Sequence, residues 1–272
     1  MELSTRAPVE SDENNQPMQD ITNIQVIRGI DGSHITHAAF DTRNTISATG
    51  SIKSGSETMT ISPKQYFTIE QQNAHFIAFY PAATTLQPGK ANFIINGTQD
   101  ILVTRQPQTA VYNKNGAQIC MDFDHLLSWI ELKVIAEDAA AIETYGNLTE
   151  ASVTVPNQVE LIIHADGTTS FSKKTDSGQM RLNFGSMNLS VAGNTTNKGY
   201  MIYPDESDVT HISLAFEKRS PAELYPVTGL TLTPGTKTVI IAHVKAYGIN
   251  FQVEVAPWEE GNGNGDDIEI GN

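Results

Sequence analysis

Asp122-Phe123-Asp124-His125 is the stretch of this chain best furnished for chemistry. On an extended strand Asp122 and Asp124 share a face, and His125 adds a nitrogen that could ligate a metal or take up a proton. A metal site or an acid–base pair needs further groups converging on it, and no second cluster in the sequence answers this one. The remaining histidines, His34, His37, His75, His164, His211 and His243, show no His-Glu-x-x-His spacing. The chain also has no Gly-x-Ser-x-Gly elbow, no phosphate-binding Walker loop and no Gly-x-Gly-x-x-Gly between a strand and a helix. His125 is therefore read as a hydrogen-bonded structural residue. No catalytic residue, metal or cofactor is assigned, and the chain is not read as an enzyme.

Two acidic stretches, Pro204-Asp-Glu-Ser-Asp208 and the tail 261–267, could attract calcium, but neither carries the twelve-residue pattern of a calcium loop, and both are read as solvated loops. Trp129 lies in an alternating segment and Trp258 follows Pro257, which suits packing better than a flat platform for sugar rings. Asn-x-Ser/Thr triplets begin at Asn96, Asn147, Asn188 and Asn194 and decide nothing by themselves.

Such residues must be held by something, and the composition narrows what. A chain of 272 residues is long enough for two cores at about 150 residues per domain, and 39% hydrophobic with 18% charged residues excludes disorder. Lys plus Arg number 17 against 31 acids, a net charge of −14 that leaves little with which to track a nucleic-acid backbone. The acids crowd the ends: residues 1–20 hold five with one Arg, and residues 258–272 hold five with no base. Cys120 is the sole cysteine, which excludes an internal disulfide and a thiolate metal cluster. The first ten residues lack the apolar stretch of a signal peptide, so the chain is expected to be either cytoplasmic or a trimmed mature form.

Periodicity points to strands. Gln179–Phe184 alternates through Met180, Leu182 and Phe184, residues 212–218 through Ile212, Leu214 and Phe216, and residues 249–256 through Ile249, Phe251, Val253 and Val255. This period of two predicts antiparallel sheets with one wet face. Residues 74–82 are apolar on both faces and predict a central strand ending at Pro81. Pro88-Gly89, Asp166-Gly167 and Pro234-Gly235 are read as hairpin turns, and residues 136–143 as the one short helix. Strand segments recurring every 8–12 residues or so fit an all-β chain of two tandem antiparallel β-sandwiches. The expected layout is an N-terminal extension (1–20), a first sandwich (21–115), a second (116–257) and an acidic Gly/Asn-rich tail (258–272).

Several segments, in this order, resemble the fimbrillins of the Bacteroidetes, subunits of type V pili. They are Phe76–Ala82, with its aromatic-Tyr-Pro strand end; Asp100–Pro107; Met121–Val134, which contains Phe-x-His-x-Leu; and the closing stretch 229–265 with its Trp and Gly-rich tail. The resemblance implies transthyretin-like sandwiches, export as an outer-membrane lipoprotein, maturation by a surface protease and polymerisation by donor-strand exchange with other pilus subunits at the cell surface. Host or bacterial surface ligands are further candidate partners in this reading. The family's lipid-acceptor cysteine is not found near residue 1, and Cys120 is too deep in the chain to serve.

By the same resemblance Arg6 is the expected cleavage site, since Met1–Arg6, the polar residues 7–20 and the strand from Ile21 match the family's layout. Arg28 and Arg43 are set aside, Arg28 because cutting there would detach an alternating strand. The donor strand is expected between Val253 and Ile270, with Val253 and Val255 or Ile268 and Ile270 as alternate-residue knobs. The competing reading is a surface glycan-binding lipoprotein, which would require an exposed Trp129 or Trp258.

Overall fold

The computed structural model describes residues 3–5, 20–30, 46–53, 59–64, 66, 73–114, 119–164, 167–195 and 198–257. Its strands begin with β1 (Leu3–Thr5), β2 (Asp20–Ile30), β3 (Ile46–Lys53), β4 (Met59–Ser62), β5 (Ala74–Tyr80), β6 (Thr85–Gln87) and β7 (Lys90–Ile94). Short strands follow: β8 (Leu102–Thr104), β9 (Gln108–Ala110), β10 (Ile119–Met121) and β11 (Phe123–His125). Next come β12 (Ser128–Ala136), the helix α1 (Ala139–Tyr145), β13 (Leu148–Pro156), β14 (Gln158–Ile163), β15 (Thr169–Lys173) and β16 (Gln179–Met187). The last are β17 (Asn194–Thr195), β18 (Tyr200–Ile202), β19 (His211–Phe216), β20 (Arg219–Pro226), β21 (Thr236–Lys245) and β22 (Gly248–Pro257).

The fold is all-β and sandwich-like. β5 is its clearest case, because all seven of its residues are buried, as a run apolar on both faces and interrupted only by His75 predicts. Phe76, Ala78 and Tyr80 point one way, into a cluster with Ile24, Val26, Met59 and Met121. Ile77 and Phe79 point the other way, against Phe93, Val159 and Leu161. β5 thus sits inside a seven-stranded sheet, in the order β11-β8-β5-β2-β3-β4 with β9 also on β5, which packs on the four-stranded sheet β15-β14-β7-β6. β2 enters its sheet through an irregular register between Ile21 and Ile24, where Asn23 adopts φ 65°, a left-handed conformation that Asn tolerates better than most residues.

The second sandwich packs β17-β12-β21-β22, with β18 also on β12, against β16-β13-β19-β20. The alternating segments behave as their period predicts: Leu182 and Phe184 of β16 and Ile212, Leu214 and Phe216 of β19 are buried in one core with Ile130, Leu132 and Ile240. Two details differ from expectation. The helix begins at Ala139, not Ala136, because β12 runs on to Ala136 and Asp138 caps the helix, accepting from the Ala141 amide at 2.8 Å. Pro234-Gly235 makes no hairpin: Gly235, at φ 69°, leads into β21, which pairs in parallel with β12 across the sheet. Gly89 and Gly167, at φ 68° and 82°, do sit in the β6–β7 and β14–β15 hairpin turns.

Sheet membership does not follow chain order around residue 115. β10 and β11 belong with the strands that precede them, and the β14–β15 hairpin lies in one sheet with β6 and β7. Between β13 and β14 stands a single residue, Asn157, at which the chain passes from one sandwich to the other.

Candidate functional site

The N-terminal strand is held by a slender ladder. Among the described residues β1 pairs only with β10, in parallel, through Leu3↔Ile119, Ser4↔Cys120 and Thr5↔Met121. A three-residue parallel ladder makes few hydrogen bonds, each worth about 0.5–1.5 kcal/mol net, so its grip is weak beside the ten-residue β21–β22 ladder. Met121, the last residue of β10, is fully buried in the cluster on the outer face of β5. The strand ends one residue before Arg6, which lies outside the described residues, as does Arg43. Arg28, by contrast, is buried within β2, between β3 and β5, where a protease would not reach it without unfolding the sheet.

At the opposite end of the chain β22 pairs with β21 from Lys245↔Gly248 to Thr236↔Pro257 without interruption. Its other edge has no partner among the described residues. Val253 lies opposite Ile240 and packs half-buried on the second core, while Val255, opposite Thr238, is 47% exposed. Ile268, Ile270 and Trp258 lie outside the described residues.

The Asp-Phe-Asp-His segment divides its side chains among separate tasks. Asp124 pairs with Arg105 at 2.8 Å on the surface. His125 turns the other way: its Nδ1 lies 2.5 Å from Oδ2 of Asp100, a fully buried carboxylate that the sequence reading did not single out. Asp100 also accepts from the amides of Ile101 and Leu127, and these donors fix it as the acceptor and His125 Nδ1 as the donor. Burial pushes the Asp100 carboxyl upward, and His125 and the two amides oppose that shift. The pair ties the turn before β8 to the crossover between β11 and β12. Among the described residues no three of His, Cys, Asp and Glu are grouped to hold a metal ion. Asp100 left a faint signal, an acid directly before the apolar Ile101-Leu102-Val103 run, but nothing in sequence spacing joins it to a histidine 25 residues on.

The 204–208 loop differs from its expected role as a solvated acidic loop. Lys173 Nζ of β15 bridges Asp205 at 2.8 Å and Asp208 at 2.7 Å. The Lys173 ammonium, with help from Ser207, holds the Asp205 carboxyl down to about 2. Trp129 is half-buried; its Nε1 donates to Glu131 at 2.8 Å, and Gly199 approaches so closely that an added Cβ would meet the ring at 2.2 Å. It packs against the first core and offers no flat exposed platform.

The described residues thus form an all-β pair of sandwiches. The family model for fimbrillin-like proteins matches residues 5–258, and the chain belongs to that family. Solved structures share the fold at low identity. A candidate cell adhesion protein of Bacteroides uniformis ATCC 8492 is 14% identical, with a TM-score of 0.60 over 95% of this chain and 97% of that one. Another, from Bacteroides ovatus ATCC 8483, is 12% identical, with a TM-score of 0.56 and coverage of 95% and 97%. A fimbrial assembly protein of Parabacteroides distasonis ATCC 8503 is 11% identical, with a TM-score of 0.50 and coverage of 94% and 97%. No curated protein matches the chain. Family membership supports a structural role in fimbriae at the cell surface. No helix among the described residues is long and apolar enough to cross a membrane.

Proposed function

We propose that this protein is a structural or adhesive subunit of a cell-surface pilus that polymerises by protease-triggered donor-strand exchange. The observation that carries the reading is the β1–β10 ladder ending directly before Arg6. Cleavage after Arg6 would free a strand held by three paired positions and leave the β10 edge open beside an apolar cluster. A longer strand from a neighbour then gains more backbone hydrogen bonds than β1 gave up, and its alternate side chains can pack on that apolar cluster.

The donor in this reading is the tail 258–272 of a neighbour, with Ile268 and Ile270 as knobs and the Gly/Asn stretch as tether. Val253 and Val255 stay within their own subunit, because using them would strip β22 from the full-length ladder it makes with β21. Anchorage at the outer membrane would come from a covalently attached lipid group.

Limited digestion with an Arg-specific protease, followed by mass spectrometry and sizing, tests the proposal. The expected result is loss of residues 1–6 and growth of a ladder of oligomers. A trimmed chain that stays monomeric at high concentration with its tail intact contradicts it.

A further inference from the structure

The β14–β15 hairpin is reached from the second sandwich through Asn157 alone and returns to it across residues 174–178, yet it forms part of the first. Its attachment to the first sandwich is extensive. β14 pairs with β7 from Gln158↔Ile94 to Ile162↔Lys90, and Val159 and Leu161 are fully buried beside Phe93. Its attachment to the second is equally specific. Lys173, at the end of β15, is clamped between Asp205 and Asp208, and the Phe171 ring lies 5.5 Å from that of Tyr203. The crossing chains are also tied to each other, since the Asn157 amide donates to the Gly178 carbonyl at 3.0 Å and its own carbonyl accepts from Ile95 at 2.8 Å.

We infer that this hairpin is a strap that makes the two sandwiches open as one cooperative unit. Unfolding the second sandwich alone would pull on β14 through a single intervening residue and would release the Lys173 clamp. Unfolding the first alone would strand the fully buried Val159 and Leu161 in water. Neither half can open without exposing part of the other's packing, the condition for shared rather than separate opening. The division near residue 115 is then a division of the chain and not of the folding unit. The inference is independent of how subunits join, because it concerns a single copy.

Hydrogen exchange and calorimetry on the full chain test it. In the native protein the amides of β5 and β21 should share one opening constant, and heating should give one transition with equal calorimetric and van 't Hoff enthalpies. In the Lys173→Met/Phe171→Ala variant the two opening constants should diverge by tenfold or more. Arg105→Met, which removes a surface ion pair away from the strap, should leave the native pattern intact. Two separable transitions in the native chain, or a double variant whose β5 and β21 still open together, overturns the inference. If the double variant fails to fold, the native measurement decides alone.

Discussion

Asp100 Oδ2 lies 2.5 Å from Nδ1 of His125, and the Asp100 side chain has no exposed surface. The carboxylate accepts from three donors, so the loss of either partner has unequal consequences.

Asp100→Ala should be the costlier change. It leaves the amides of Ile101 and Leu127 and the imidazole of His125 without their acceptor, at about 1–3 kcal/mol for each buried donor left unsatisfied. His125→Ala should cost less, because two amides still satisfy the carboxylate. Urea denaturation of both variants checks the order, and equal losses would contradict it.

The Lys173 clamp should show in acid. Asp205 titrates at about 2 in the folded chain against 3.8 ordinarily, so the folded state holds its proton less readily than the unfolded state. The stability it contributes is therefore present above about pH 4 and is lost as pH falls toward about 2. The stability difference between native protein and Lys173→Met should shrink across that window and stay flat between pH 5 and 7. A gap that is unchanged down to about pH 2 would remove the clamp from the account.

Gly199→Ala should disturb the crossover beside β18. The new Cβ would fall 2.2 Å from the Trp129 ring, closer than any real contact, so the ring or the chain must move. The expected outcome is a destabilisation of about 1–3 kcal/mol with altered Trp129 fluorescence, read in a Trp258→Phe background.

Much of this molecule was legible in its sequence, for physical reasons that differ by element. β5 and β16 announced themselves because burial on two faces or one writes a continuous or alternating apolar pattern directly into the residues. The start of α1 shifted because one capping side chain, Asp138, outweighed the helix propensity of the residues before it. Long-range placement was illegible. Nothing local says that residues 158–173 lie beside β7, that Asp100 meets His125, or that Lys173 reaches Asp205, since each joins segments through a topology that hydrophobic period does not encode. The β1–β10 ladder is parallel and only three residues long, too short to leave any period at all.

The net charge of −14, with five acids in the tail, should act against assembly through repulsion between approaching subunits. Raising the salt from about 10 mM to about 150 mM shortens the screening length from roughly 30 to 8 Å, so Arg-trimmed protein should polymerise faster. Light scattering after trimming checks this, and slower growth in salt would point to attractive charge pairing instead.

Release of β1 is the central claim, and the Ser4–Cys120 register offers a way to forbid it. Ser4 and Cys120 are Cα partners in adjacent strands, which run about 4.8 Å apart, within the span a disulfide bridges. A Ser4→Cys variant, oxidised to join residue 4 to Cys120 and then cut by an Arg-specific protease, keeps its N-terminal peptide attached. Sizing before and after reduction is the measurement: the locked, cut protein should remain monomeric, and adding reductant should start polymerisation. Polymer formation with the bond intact, or none after reduction, would contradict the account.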